Sequence, residues 1–353
     1  MDAVTVARPA PTETDGSHRN PDGIPVPDDA WFVAARSEAL GPAPLARTVH
    51  GRPVVLFRGA DGTPSALEDR CPHKNVALSL GRVRAGTLEC RYHGWRFDGA
   101  GALVDVPCHS PDERLPRCRV PAWRVVERDG WIWIKRAEVV GGADAPPGYE
   151  RDPRYFWFEL EYVLETPVDL ILENGLDCSH TGFAHEGLFR SAPTQFVTTR
   201  IEVTPTGVRS TVEGERAADT HDTRSRLGRG RTLRHVDEIV APHTLLVDYA
   251  IGRHRLLTIL VCTPETPQRT RVFNRNGVFY GPWTPVVGRY VRAVARKVVR
   301  QDAEILNSQA ARIRETGRRE FRHVVADQPA VWMQRVLAGR SGGSASREIV
   351  YKL

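Results

Sequence analysis

Residues 71–95 read Cys71-Pro72-His73-Lys74-Asn75-Val76-Ala77-Leu78-Ser79-Leu80-Gly81-Arg82-Val83-Arg84-Ala85-Gly86-Thr87-Leu88-Glu89-Cys90-Arg91-Tyr92-His93-Gly94-Trp95. Two short pairs, C-x-H and C-x-x-H, bracket sixteen residues, and each pair is compact enough for one tight loop. Thiolates and imidazoles together suit zinc or an iron–sulfur cluster. Structural zinc pairs usually read C-x(2–4)-C or H-x(3–5)-H, so a C-x-H spacing is unusual for that metal. A [2Fe–2S] centre with two thiolates on one iron and two imidazoles on the other needs the set present here, each loop giving one Cys and one His.

The flanks sharpen the assignment. The segment resembles the Rieske domain of oxygenases, in which C-P-H and C-x-Y-H-G-W recur. It departs from the Rieske proteins of respiratory complexes, whose loops add a cysteine pair; the matching places here hold Val76 and Tyr92.

At 353 residues the chain has room for two domains of ordinary size. Its 41% hydrophobic and 26% charged residues fit a globular protein, and no apolar run reaches membrane-spanning length. We expect residues 1–26 to be a flexible arm without a secretory signal. The net charge of +6 is modest. The basic clusters Arg224-Ser225-Arg226 and Arg229-Gly230-Arg231 lack interleaved aromatics, so a solvated loop is expected rather than a nucleic-acid surface. Beyond Cys71 and Cys90, the four cysteines Cys108, Cys118, Cys178 and Cys262 show no metal-ligand spacing. They are expected to be reduced, buried small residues in a cytoplasmic protein.

Along the chain, strand patterns appear at Trp31-Phe32-Val33-Ala34, Arg52–Arg58 and Ser65–Glu68, the last two joined by the turn Gly59-Ala60-Asp61-Gly62. Trp123–Glu127 and Trp131–Ile134 around Asp129-Gly130 complete an all-β domain over 27–142, and Gly and Pro from 137 to 153 suggest a linker. The region 143–353 opens on the strand-like Phe156–Leu160. A helix is expected from Thr166 as N-cap and Pro167 at the first helical position to about His180. Strands should fill 196–279, a long amphipathic helix about 286–315 closed by Gly317, and a strand-like tail should follow a turn at Ser341-Gly342-Gly343-Ser344.

That first helix carries a second constellation. Asn174, Asp177 and His180 fall at i, i+3 and i+6 on one helix face, and Gly182 would let the chain turn and return His185. Two imidazoles and a carboxylate with open positions form the facial triad of non-haem Fe(II) oxygenases. On the long helix, Val287, Val291, Val294, Val298, Ile305, Leu306, Gln309 and Ile313 form one stripe, and Asp302 lies on it. A carboxylate facing a core is costly unless a metal or a charge partner holds it, so Asp302 leads over Glu304 and Asp327 as the third ligand. A salt bridge to a nearby arginine is the structural alternative.

From about Trp31 to Leu337 the chain now resembles the catalytic α subunit of a Rieske non-haem iron oxygenase. The resemblance is to the compact group that includes vanillate and dicamba demethylases, pheophorbide oxygenase, steroid hydroxylases and biosynthetic oxygenases. The helix Gln301-Asp302 to Gln309 is similar to the family's Q-D-x(6)-Q helix, whose third ligand falls on Asp302. The resemblance implies an α+β chain: an N-terminal all-β Rieske [2Fe–2S] domain held by Cys71, His73, Cys90 and His93, and a helix-grip α/β catalytic domain with a central antiparallel sheet. It implies mononuclear Fe(II) at His180, His185 and Asp302, O₂ as co-substrate and a head-to-tail homotrimer. In that trimer Asp177 would bridge a cluster histidine of one subunit and an iron histidine of its own, with Asn174 near the iron.

No G-x-G-x-x-G loop and no plant-type ferredoxin spacing occur, so electrons from NAD(P)H would come through a separate reductase, perhaps with a ferredoxin. The expected reaction is monooxygenation of a small aromatic or polycyclic substrate. Oxidative demethylation, N-oxidation, desaturation and oxidative cyclisation are open to the same site. A pure electron carrier and a zinc-stabilised binding module are the rivals from other classes; about three irons per chain would mark the enzyme and about two the carrier.

Overall fold

The computed structural model describes residues 23–110, 112, 114–186, 188, 195–215, 232–340 and 345–353. The basic clusters at 224–231, most of the N-terminal arm and the turn at 341–344 lie outside the described residues.

Ten short strands build the N-terminal region: β1 (Phe32–Arg36), β2 (Leu45–Val49), β3 (Arg52–Arg58), β4 (Pro64–Glu68), β5 (Arg82–Arg84), β6 (Thr87–Glu89), β7 (Arg96–Phe97), β8 (Leu103–Asp105), β9 (Trp123–Arg128) and β10 (Trp131–Arg136). They form three small antiparallel sheets, β1-β10-β9, β2-β3-β4 and β5-β6-β7-β8. The β9–β10 turn is tight because Asp129 and Gly130 both adopt positive φ, 54° and 80°, as a two-residue hairpin with right-handed strand twist requires. Val55, Phe57, Leu67, Leu78, Leu88 and Phe97 pack beneath the two cysteine loops and bury Cys71 and Cys90 with them.

The C-terminal region is one eight-stranded antiparallel sheet. It comprises β11 (Phe156–Leu164), β12 (Phe196–Thr204), β13 (Gly207–Glu213), β14 (Leu233–Val240), β15 (Thr244–Ile251), β16 (His254–Thr266), β17 (Arg269–Phe279) and β18 (Ser346–Lys352). The order is β11-β17-β16-β15-β14-β13-β12-β18, so the C-terminal strand closes one edge and the first strand the other. Its helices are α1 (Val168–Leu176), α2 (Thr181–Ala184), α3 (Thr284–Thr316) and α4 (Gln328–Leu337). α3 lies against β11 and β17, while α4 packs on β12, β13 and α1. Gly288 is where α3 comes closest to β11: a Cβ there would sit 2.3 Å from the Phe156 ring. Gly317, with φ +63°, ends α3 in the left-handed conformation.

The two regions share a core. Phe32, Val54, Leu56, Ile132 and Ile134 pack in the same apolar cluster as Leu164, Leu170, Leu172, Leu260 and Val272. Polar groups pin the seam. Arg275, wholly buried, lies 3.8 Å from the Trp131 ring centroid, pairs with Glu159 at 2.8 Å and donates to the Tyr149 carbonyl at 3.0 Å. His243 Nε2 donates to the Trp31 carbonyl at 2.9 Å, and burial pulls its pKa down to about 4, so it serves as a neutral donor.

Several local expectations need correction. Pro167, not Thr166, occupies the N-cap position of α1, without a side-chain cap. The Thr166 hydroxyl instead donates to Asn307 of α3 at 3.0 Å. α1 stops at Leu176, because Asp177 leaves helical geometry at φ −82°, ψ 94° and its carboxylate captures the Ser179 N–H at 2.8 Å. Gly182 lies inside α2 rather than at a turn. Ile305 is 46% exposed and off the buried stripe, and Cys108 is exposed. The helix α4 had no counterpart in the sequence reading.

Candidate functional site

The two cysteine loops are near-copies in their backbone bonding. Cys71 N–H donates to the Val76 carbonyl at 2.8 Å and Asn75 N–H to the Cys71 carbonyl at 2.9 Å; Cys90 N–H donates to the Trp95 carbonyl at 2.8 Å and Gly94 N–H to the Cys90 carbonyl at 3.0 Å. Asn75 and Gly94, each four residues after the cysteine, take φ of 60° and 71°. Such a turn lets a histidine two or three residues past the cysteine face its counterpart across the gap. The His73 and His93 ring centroids are 4.5 Å apart, and His73 lies flat on Trp95 at 4.5 Å and 5°.

Cys71 and Cys90 are each 2% exposed. Burial, with Cys90 alongside, pushes the Cys71 thiol up to about 11, so a thiolate at this place calls for a bound cation. His73 Nδ1 is buried without a hydrogen-bond partner. Burial, with His93 and Lys74 nearby, lowers the pKa of His73, which keeps it neutral. Two thiols and a neutral imidazole whose inner nitrogen meets nothing fit a [2Fe–2S] cluster with mixed ligands.

The second set assembles from three elements. His180 precedes α2, His185 follows it, and Asp302 projects from α3. His185 Nε2 is 3.1 Å and His180 Nε2 is 3.6 Å from Asp302 Oδ1, with the imidazoles edge to face at 5.2 Å. The outer nitrogens have fixed partners: His185 Nδ1 donates to Gln301 Oε1 at 3.1 Å, and His180 Nδ1 donates to the Asp177 carbonyl. Those bonds assign the Nδ1–H tautomers and leave both Nε2 lone pairs aimed at a carboxylate oxygen.

Three acceptors facing one another ask for a cation, and the charge balance agrees. Burial disfavours the His180 cation, yet hydrogen bonding to Asp302 and the charge of Asp177 outweigh it and raise the His180 pKa. Burial likewise disfavours the Asp302 anion, but both histidines hold its pKa below the usual carboxylate range. The residues fit a two-histidine, one-carboxylate metal site. Glu304 is exposed, and the Asp327 carboxylate caps the Val324 N–H at 2.7 Å, so neither competes.

His180, His185 and Asp302 line a cavity of about 610 Å³, together with Asn174 of α1. Its helix wall is mainly aliphatic: Val287, Val291, Val294, Val298 and Leu306 of α3 line it beside Tyr290. The α3 stripe therefore faces open space along its first half and becomes fully buried only at Leu306, Ala310 and Ile313. The Asp177 carboxylate accepts from the Ser179 N–H and hydroxyl and, at 3.3 Å, from the His180 N–H.

Sequence reasoning missed a further buried cluster. Cys178 Sγ lies 3.6 Å from Asp237 Oδ2, and His235 Nε2 is 2.9 Å from the same carboxylate. Burial opposes a charge on His235, yet Asp237 and the groups around it raise its pKa well above the ordinary value. The register of β13, β14 and β15 puts His235 opposite Val212 and Tyr249, and no linear spacing signals that.

Two family models match the chain. The Rieske [2Fe–2S] domain matches residues 30–124, and the vanillate O-demethylase oxygenase C-terminal domain matches residues 164–340, half of the chain. The chain belongs to the Rieske non-haem iron oxygenases. Among relatives of this Rieske oxygenase chain, the chloroplastic chlorophyllide a oxygenase of Chlamydomonas reinhardtii is 29% identical over 81% of the chain and 44% of that protein. The oxygenase component of dicamba O-demethylase from Stenotrophomonas maltophilia is 37% identical over 44% of the chain and 47% of that protein. The chain thus spans about half the length of the relatives it matches. Dicamba monooxygenase bound to dicamba superposes with a TM-score of 0.77 at 24% identity, covering 89% of this chain and 97% of that one, which places the fold. Among the described residues no helix is long and apolar enough to cross a membrane.

Proposed function

We propose that this chain inserts one oxygen atom from O₂ into a small, largely apolar aromatic or polycyclic substrate, using electrons that a separate reductase draws from NAD(P)H. The observation that carries the proposal is the placement of His180, His185 and Asp302 on the wall of a largely apolar cavity of about 610 Å³, a size that suits a drug-sized ring system. A [2Fe–2S] cluster at Cys71, His73, Cys90 and His93 would supply electrons singly, and Fe(II) at the triad would supply O₂ activation.

The chain's own part is positional. Valines of α3 exclude water and hold the ring system, and the His180 and His185 Nδ1–H bonds fix both imidazole planes. We infer a head-to-tail homotrimer in which one subunit's cluster serves its neighbour's iron. Asp177 would be the bridge: it adjoins the triad through His180, and its side chain stays 33% exposed, available to a second copy. Asn174, on the cavity wall, would border the substrate beside the metal.

Oxidative O-demethylation is a second reading, favoured by the match to a vanillate O-demethylase domain and the likeness to a dicamba O-demethylase. Incubating the enzyme with a reductase, NADH, ¹⁸O₂ and extracts, followed by mass spectrometry, tests both. A product heavier by one ¹⁸O atom indicates hydroxylation, loss of a methyl carbon indicates demethylation, and no oxygen-dependent change overturns the proposal.

A further inference from the structure

A second set of metal-ligating side chains lies outside the iron triad and the two cysteine loops: Cys178, His235 and Asp237. Cys178 follows Asp177 in the short link between α1 and α2, two residues before His180 of the triad. His235 and Asp237 stand two apart on β14 and so project from one face of that strand. The three side chains meet where the link lies against β14. They are 6%, 1% and 1% exposed, so solvent scarcely reaches them.

Their ligand atoms form a compact triangle. Cys178 Sγ is 3.6 Å from Asp237 Oδ2 and 4.0 Å from His235 Nε2, and His235 Nε2 is 2.9 Å from the same Asp237 oxygen. A tetrahedral zinc ion, bonded to sulfur at ~2.3 Å and to nitrogen and oxygen at ~2.0–2.2 Å, sets its ligands roughly 3.3–3.6 Å apart. The triangle brackets that spacing, and its edges are close to the 3.1 and 3.6 Å edges of the iron triad. Glu215 Oε2, 3.8 Å from His235 Nδ1, puts a second buried carboxylate beside the group. The kinds of atom narrow the choice of metal. A thiolate disfavours magnesium and calcium, and a sulfur, nitrogen and oxygen set suits zinc. Closure from solvent marks a structural site rather than a catalytic one. A proton shared by His235 and Asp237 would satisfy those two groups alone. A thiol is a weak hydrogen-bond donor, whereas its thiolate is a strong metal ligand, so the third member matches a metal better than a proton.

We propose that Cys178, His235 and Asp237 bind a structural zinc ion that ties the segment carrying His180 to β14. This ion is separate from the iron of both redox centres, and it holds one iron ligand in place by fixing the link between α1 and α2 to the sheet. The site requires nothing of the substrate or the reaction.

Metal analysis of the holoenzyme, produced with zinc and iron in the medium, tests the proposal together with X-ray absorption at the zinc edge. About one zinc per chain is expected beside the iron, with a single sulfur among its ligands. Cys178→Ala and Asp237→Asn should each lower the zinc retained after dialysis against a mild chelator by more than about tenfold. Asp237→Asn keeps the shape of the side chain and a hydrogen bond to His235, so it is the gentler change. The cluster absorbance of each variant shows that it folds. His180→Ala should keep its zinc, which sets this site apart from the triad. Absence of zinc from the wild-type holoenzyme overturns the proposal. So does zinc with no sulfur, as in the triad, or with two, as in the cysteine loops, and so does wild-type retention in both Cys178→Ala and Asp237→Asn. Because zinc is counted without turnover, absence of oxygenation would count against the reaction and not against this site.

Discussion

Gln301 Oε1 accepts the His185 Nδ1–H at 3.1 Å, and the next residue, Asp302, faces the same ring's other nitrogen at 3.1 Å. One helical step of α3 therefore grips both nitrogens of one imidazole. The glutamine sets the ring plane and the tautomer, which leaves Nε2 free for a metal.

Gln301→Leu should accordingly keep the triad but loosen it. We expect iron affinity at this site to fall about 10–100-fold, read as iron retained after dialysis against a graded chelator, with the cluster absorbance unchanged. Retention equal to wild type would show that the hydrogen bond does not tune the site.

His180→Ala and Asp302→Asn remove two of the three proposed iron ligands. Both should lose more than the ~10–100-fold in iron affinity that an outer partner costs, and turnover should disappear while the cluster spectra survive. Iron per chain should drop from about three to about two. Turnover retained by His180→Ala would refute the triad.

Asp177→Asn keeps an oxygen for the Ser179 and His180 N–H groups and so preserves the turn, but it removes the charge. We expect both metal centres to load and turnover to fall by about 100-fold. Single-turnover reoxidation of a pre-reduced cluster should slow in step. Normal reoxidation would leave Asp177 as a turn residue only.

Burial, reinforced by the charge of Asp169, raises the Glu173 carboxyl to about 7 from a reference of 4.5, while Gln334 Nε2 donates to it at 2.8 Å. Between those pH values the folded chain holds a proton that the unfolded chain has released. Stability contributed by this group is therefore full below about pH 4.5, falls as pH rises toward 7 and stays low above it. Glu173→Gln should remove that slope and gain roughly 1–2 kcal/mol at pH 8, after allowing for partial exposure. Urea midpoints at pH 5 and pH 8 measure it, and parallel pH profiles for the two proteins would contradict the expectation.

The cluster loops were legible as a pair because all four candidate ligands lie within one short stretch and their spacing is local chemistry. Asp302 was legible for another reason: a lone carboxylate on an apolar helical stripe stands out by its burial cost. The end of α1 was not, since Asn174 to His180 continues a helical pattern that only the Asp177 carboxylate interrupts, by taking the Ser179 N–H. α4 escaped notice because Gln334 and Arg335 interrupt its short apolar run and Pro329 stands at its start. The buried Cys178–His235–Asp237 group depends on the loop after α1 folding onto β14, a contact that a linear reading cannot supply.

Arg275 on Trp131, His243 on the Trp31 carbonyl and the apolar cluster spanning both regions weld the cofactor-bearing half to the oxygen-using half. The relative orientation in which each chain offers its cluster loops and its triad to neighbouring copies is therefore settled when the chain folds. Timing would then reside in chemistry at the two sites or in how copies associate, rather than in the swing of one region against the other.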